Sequence, residues 1–422
     1  MLGERMNRIG RVALAGASVG LVALATGCAG NGGYTSEHAS LAKQKMSVMK
    51  AATEWDMARQ AFLAGDLDKA LDKVNASMSY NDQVPKSHVL KGRILLEKGD
   101  IGSSIESLQT AAAIDPEFVD AQYYLGVVHE RLGKLEKASA YYQRASELDG
   151  YNPDYAVAAA EMLVDLGRLE EAKSYLDGGP SFEHHPGVLQ TLGHIALMED
   201  KPQDAVALFE EARLLAPTDD VVLEDLIRAQ FATGNFREAE MNLASLLEDE
   251  EHQSRRDLKH MRAQCLLSLD RPVEARKVYY ELTKDTAGQG DIDAWIGLGN
   301  VSYVLSDGRT LRRAASRVVA LAPDRHEGYS LTALWFRSNG DNERALESAR
   351  DAISVAPRDA SLLAFEGMLL MEMGELDQAR ESLASASELE PGNPTFRQLL
   401  GDVDSLIAGE GGVFATEEGT TD

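Results

Sequence analysis

Glycines recur along this chain at a fixed interval. Gly65, Gly99, Gly133 and Gly167 stand 34 residues apart each time. Five residues after three of them come Ala70, Ala138 and Ala172, with Ser104 in the second interval. The pair returns as Gly234/Ala239, Gly340/Ala345 and Gly374/Ala379, and with aspartate in the glycine's place as Asp200/Ala205 and Asp270/Ala275. Twelve residues further on stand Pro116, Pro217, Pro357 and Pro391, and Pro323 holds that place in an interval without the alanine. Such a period marks one supersecondary unit repeated, because a unit this small cannot bury its own apolar face and must stack on its neighbours. That overrides the prior of roughly 150 residues per domain, which would divide 422 residues into about three globular bodies.

The period and its residue types resemble the tetratricopeptide repeat, or TPR. The fullest copies carry Val119, Leu125, Gly126, Gly133, Ala138, Tyr142 and Ala145, and Pro186, Leu192, Gly193, Ala205, Phe209, Ala212 and Pro217. Ten copies follow in phase: 51–84, 85–118, 119–152, 153–185, 186–219, 220–255, 256–291, 292–325, 326–359 and 360–393. The resemblance implies an all-α fold, a right-handed α-solenoid of about ten helix-turn-helix repeats, here closed by a C-terminal capping helix over 394–408. Each copy then holds a helix A and a helix B. A small residue at position 8 (Gly92, Gly126, Ala160, Gly193, Gly299, Ala333, Gly367) and the alanine at position 20 let the two approach. Position 24 supplies a bulky knob such as Tyr142, Leu176, Phe209, Leu243 or Tyr279. Glycine at position 15 ends helix A in a left-handed conformation, and proline at position 32 stops helix B.

Two departures from the rhythm divide the array. Gly178, Gly179 and Pro180, then His184, His185 and Pro186, cut the fourth copy short; Glu248 to Glu251 and the segment from Ala287 to Gly290 lengthen loops around the seventh. The expected blocks are 51–185, 186–291 and 292–393. Residues 28–50 form a tether that leads into the first helix, and the acidic tail 409–422 is expected to be disordered.

The N-terminus reads as an address. Arg5, Arg8 and Arg11 precede the apolar run 12–25, which is 14 residues long. That is short of the roughly 20 residues needed to span a bilayer, so 1–27 is expected to be a signal peptide. Its end, Leu24-Ala25-Thr26-Gly27-Cys28, resembles the lipobox of bacterial lipoproteins, although the usual leucine sits one place early. The resemblance implies lipidation at Cys28 and a membrane-anchored location in the cell envelope. With Ala29 after the cysteine, it points to the outer membrane, facing the periplasm, if the source is Gram-negative.

Chemistry is sparse. A net charge of −26 disfavours nucleic acid, which calls for a dense basic stripe, and favours basic partners. Gly297 and Gly299 begin a dinucleotide-like pattern that lacks its third glycine and its strand. Adjacent His184 and His185 do not converge on one metal, and they read as solvated loop histidines. Cys265, in an apolar run, reads as a buried small hydrophobe. No metal site, no cofactor and no catalytic residue is expected, and no stretch of about 100 residues remains for a catalytic domain.

What remains is the inner face that the TPR resemblance assigns to helix A. On it stand Trp55, Arg59, Arg93, Tyr123, Arg131, Gln190, Arg228, Asn300, Tyr303 and Arg337. Aromatics beside arginine have the make-up of interface anchors, and the same residues could equally pack against the neighbouring helix. The lysine–asparagine clamp of chaperone-binding TPRs is absent. The expected function is an anchored scaffold that binds protein or peptide segments of an envelope complex serving pili, secretion, polysaccharide export or the cell wall. The alternative is a binder of a glycan or small ligand in the same groove.

Overall fold

The computed structural model describes residues 36–177, 182 and 184–409. Four expectations lie wholly or mainly outside them: the signal peptide, Cys28, the start of the tether and the disordered tail. The chain divides after Tyr124 into two compact units. The first holds α1 (Ser36–Leu63), α2 (Leu67–Tyr80), α3 (Pro85–Glu97), α4 (Ile101–Ile114) and the start of α5 (Val119–Arg131). The second continues with α6 (Leu135–Leu148), α7 (Pro153–Asp165), α8 (Leu169–Leu176), α9 (Pro186–Met198) and α10 (Pro202–Leu215). Then come α11 (Asp220–Ala232), α12 (Phe236–Leu246), α13 (Arg256–Ser268), α14 (Pro272–Leu282), α15 (Ile292–Val304) and α16 (Gly308–Leu321). It ends with α17 (Glu327–Ser338), α18 (Asn342–Val355), α19 (Ala360–Met373), α20 (Leu376–Leu389) and α21 (Pro394–Ile407). The described residues hold no strand. The fold is an all-α solenoid of helix pairs, odd-numbered helices serving as helix A and even-numbered ones as helix B.

One backbone device makes each pair. At position 15 of every copy the backbone turns left-handed: Gly65, Gly99, Gly133, Gly167, Gly234, Gly340 and Gly374, but also Asp200, Asp270 and Ser306. The next N–H then reaches back to the carbonyl five residues earlier, as Asp66 does to Ala61 at 2.9 Å and Asp307 to Ser302 at 2.8 Å. This double bond pattern satisfies the last carbonyls of helix A. The following helix starts at once, and in several copies an aspartate caps it: Asp66, Asp100, Asp307 and Asp341 each accept from the N–H three residues on.

Packing inside a pair is knob into glycine. A Cβ at Gly126 would lie 2.5 Å from the Tyr142 ring, at Gly193 2.5 Å from Phe209, and at Gly367 2.6 Å from Leu383. The eighth copy solves the problem differently. Its position 24 is Ala315, too small to reach across, so Gly299 is filled by Leu331 of the next copy, 2.7 Å from where a Cβ would lie. Gly297 receives the ring of Tyr279 from the copy before, at 2.4 Å. The Gly297–Gly299 pair is therefore a packing feature, and no strand precedes it.

Helix α8 has 8 residues against 14 for α6 and α10, so the fourth copy is cut short before the Gly-Pro run. The segment between α14 and α15 is long enough to form a 3-10 turn, Gly288–Gly290. A Cβ at Gly288 would fall 1.8 Å from the Leu282 carbonyl, so only glycine fits there. At the end of the second unit, α21 lays Phe396 and Val403 into a core with Leu369, Leu370 and Leu383.

Candidate protein-binding surface

Side chains on the helix-A face touch the next helix A by a recurring offset. With a 34-residue period, a residue at position 9 meets position 6 of the following copy, 31 residues on, one helical turn earlier on its own helix.

In the first unit the offset joins cations to rings. Trp55 donates its indole N–H to the Lys86 carbonyl at 3.3 Å, and the Lys86 ammonium lies 4.2 Å over the Trp55 ring. Arg59 sits one turn along α1, exposed and 6.0 Å from the same ring. The Arg93 guanidinium lies between Phe62 at 4.9 Å and Tyr124 at 4.6 Å. Tyr123 meets Tyr124 edge-on, 5.2 Å between centroids. Each cation–ring contact contributes about 0.5–1 kcal/mol at a partly exposed site. Burial raises the Asp120 carboxyl and the Tyr124 hydroxyl, while Arg93 draws both back down.

In the second unit the joints are ionic. Gln190 and His194 of α9 both reach the Asp225 carboxylate of α11, at 2.6 and 2.9 Å. Arg228 joins the opposite oxygen at 3.4 Å and bonds Glu224 at 3.1 Å. Asp225 is buried, which alone would raise its pKa; His194, Gln190 and Arg228 outweigh that and hold it below the usual carboxylate range. Arg255 grips Glu224 with two N–H groups, at 2.9 and 3.0 Å. Asp291 caps α15 while accepting from His260 at 3.0 Å and Arg256 at 2.6 Å. Burial would raise this carboxyl too, and the bonds from His260, Arg256 and the Ala294 amide lower it. Further along, Arg337 donates to the Tyr303 hydroxyl at 3.4 Å and to Glu372 at 3.0 Å.

The expected surface residues therefore fall into two groups. Trp55, Arg93, Gln190, Tyr303 and Arg337 are engaged between neighbouring helices, Arg228 bonds Glu224 and Asp225 of its own helix, and Tyr123 is held against Tyr124. Arg59 and Asn300 are exposed, and the Asn300 side chain makes no hydrogen bond among the described residues. Arg131 is exposed at the end of α5. Asp225, Arg255, Arg256 and Asp291 were not legible as members of the face. Their signal in the sequence is the 31-residue spacing of a carboxylate and a histidine or arginine, as in His194/Asp225, Glu224/Arg255 and His260/Asp291.

Elsewhere the chemistry stays quiet. Cys265 is fully buried beside Leu243 and Ile227, and burial, then the Glu240 charge, pushes its thiol up to about 11. His184 is exposed with Glu211 at 3.3 Å. His185 departs from the solvated-loop reading: it is half-buried at the start of α9, 3.5 Å from Asp154, and burial lowers its pKa. No group of three or more potential metal ligands occurs among the described residues, and no described helix is long and apolar enough to cross a membrane.

Profiles of the tetratricopeptide-repeat family match residues 89–153, 196–259 and 336–403, in phase with the left-handed turns. The chain is a tetratricopeptide-repeat protein. Its curated relatives include the Arabidopsis thaliana protein CTR9 homolog, 22% identical over 334 residues, covering 76% of this TPR protein and 30% of that one. They also include the Escherichia coli lipopolysaccharide assembly protein B, 25% identical over 147 residues, 35% of this chain and 37% of that protein. The chain thus spans about a third of the length of these relatives. Among solved structures, Pseudomonas aeruginosa pilF aligns at 19% identity and a TM-score of 0.41, covering 48% of this chain and 92% of that one.

Proposed function

We propose that this TPR protein is a membrane-anchored scaffold that gathers protein segments during assembly of a bacterial cell-envelope complex. The pilus, secretion, polysaccharide-export and cell-wall machineries are the candidate classes. The observation that carries the reading is the junction of a basic and apolar leader ending at Cys28 with a helical repeat array starting at Ser36. The 147-residue likeness to a lipopolysaccharide assembly protein supports an envelope role.

Anchoring is geometric in this account. Several acyl chains on Cys28 hold the chain at a membrane, since one chain alone binds only marginally. A Gly-rich sequence, Gly30, Gly32 and Gly33, follows Cys28. The helix-A face then meets partners with pre-paired side chains, whose rotamers are fixed before binding, so less entropy is lost on association. The glycan alternative is less favoured, because one face of the Trp55 ring, which would stack on a sugar, is covered by the Lys86 ammonium.

The test is metabolic labelling with a radioactive fatty acid, with membrane fractionation, for wild type and Cys28→Ala. Label and membrane retention in the wild type, both lost in the variant, are expected. An unlabelled wild type in the soluble fraction would remove the anchor and leave a scaffold without a membrane address.

A further inference from the structure

On the helix-B side of the second unit, an open cleft of about 610 Å³ lies between α14 and α16. It falls in the size range of about 300–1,000 Å³ usual for binding sites. Its lining includes Lys284, Arg313 and Arg317, the hydroxyls of Thr283 and Ser316, and no carboxylate. Other arginines, such as Arg255, Arg256, Arg325 and Arg337, are committed to carboxylates. None of the three cleft cations has a carboxylate partner among the described residues.

The cations are held in place without being neutralised. The Lys284 ammonium lies 5.0 Å over the Tyr280 ring, and the Arg313 guanidinium 5.3 Å over Trp295. Arg317 donates to the Gln289 carbonyl at 2.8 and 3.0 Å. That carbonyl belongs to the lengthened loop, whose Gly288 carbonyl also accepts the Trp295 indole N–H at 3.1 Å. The loop's own acids face away: Asp285 and Asp291 are taken by Arg256, at 3.2 and 2.6 Å. The insertion thus builds one wall of the cleft from backbone acceptors and turns its negative charges elsewhere.

We propose that this cleft binds a short acidic peptide segment. Arg313 and Arg317 stand one turn apart on α16, with Cβ atoms about 5–6 Å apart in such a pair. They offer two separate forks, each matching one carboxylate, and Lys284 supplies a third charge from the opposite wall. Screening limits the reach of the chain's overall negative charge to about 8–10 Å at physiological salt, so the local cations govern the cleft. The proposed cations lie on α16 and just beyond α14, and the site stands independently of the helix-A reading.

The test is fluorescence anisotropy of a labelled hexaglutamate peptide titrated with the full chain at physiological ionic strength, where the overall negative charge is screened. Wild type is expected to bind, with Arg313→Ala/Arg317→Ala weakening it about tenfold or more. Arg144→Ala, which removes an exposed cation on α6, should change it less than twofold. Lys284→Ala, whose side chain is exposed beyond α14, should weaken binding severalfold and keeps the test decisive should the double variant not fold. An absent signal in wild type, equal binding by the cleft variants, or equal weakening by Arg144→Ala would overturn the proposal. Saturation by inorganic phosphate with no peptide binding would overturn it as well.

Discussion

Ten residues at position 15 adopt φ between 56° and 81°, and three of them are not glycine. A left-handed conformation costs a side-chain-bearing residue roughly 1–2 kcal/mol, less for aspartate, while glycine loses more entropy on folding. Ser306→Gly should therefore stabilise the chain by about 0.5–1 kcal/mol, and Gly99→Ala should destabilise it by about 1 kcal/mol, read from urea-unfolding midpoints. Gly193→Ala places a methyl group on the Phe209 ring and should cost about 1–3 kcal/mol; an unchanged midpoint would mean that α9 and α10 can part freely. Asp225 makes a pH prediction. Its carboxyl is held below its ordinary value in the folded chain, so its stabilisation is present above about pH 4, the range of the free carboxyl, and is lost as pH falls below that. Asp225→Asn should flatten this acid limb in melting temperatures measured from pH 3 to 7, and cost about 1–3 kcal/mol at neutral pH.

At the scale of helices, most of the architecture was legible because it rests on local backbone chemistry. Glycine, proline and small residues at fixed places state where a helix ends and where two may touch, and the left-handed turns and the prolines Pro116, Pro217, Pro323, Pro357 and Pro391 fall two residues past helix B in each case. Ser306 escaped because it breaks the Gly-x4-Ala pattern at both places, with Leu311 for the alanine. The swap in which Tyr279 fills Gly297 escaped because it depends on Ala263 and Ala315 leaving no room and no knob inside their own copies. The surface was less legible still. The resemblance could place Arg228 and Arg337 on the face, but only geometry shows that Arg228 already holds Glu224 and Asp225 of its own helix and Arg337 holds Glu372 of the next helix A. The capping helix belongs to this scale too. Phe396→Ala removes a buried ring from the terminal core and should cost about 3 kcal/mol, the lower end for Phe→Ala because the chain end can relax. Hydrogen exchange should quicken in α19, α20 and α21 while α9 to α12 keep their protection, as expected where each repeat leans only on its neighbours.

Over the whole molecule, ion pairs and cation–ring contacts serve two purposes. They join successive A helices, and they present a face whose side chains are ordered before a partner arrives. Arg59 and Asn300 are exposed members of that face. The central claim is that partners dock there, on a chain tethered through Cys28. The most direct measurement places a photo-crosslinking amino acid at Arg59, at Asn300 and, as a helix-B control, at Glu136 (exposed on α6). Crosslinks are then identified by mass spectrometry in intact cells of the native host. The account predicts envelope proteins joined at the two helix-A positions, not at Glu136, and lost in the Cys28→Ala background. Crosslinks of equal strength at all three positions, or none at the helix-A positions, would contradict it.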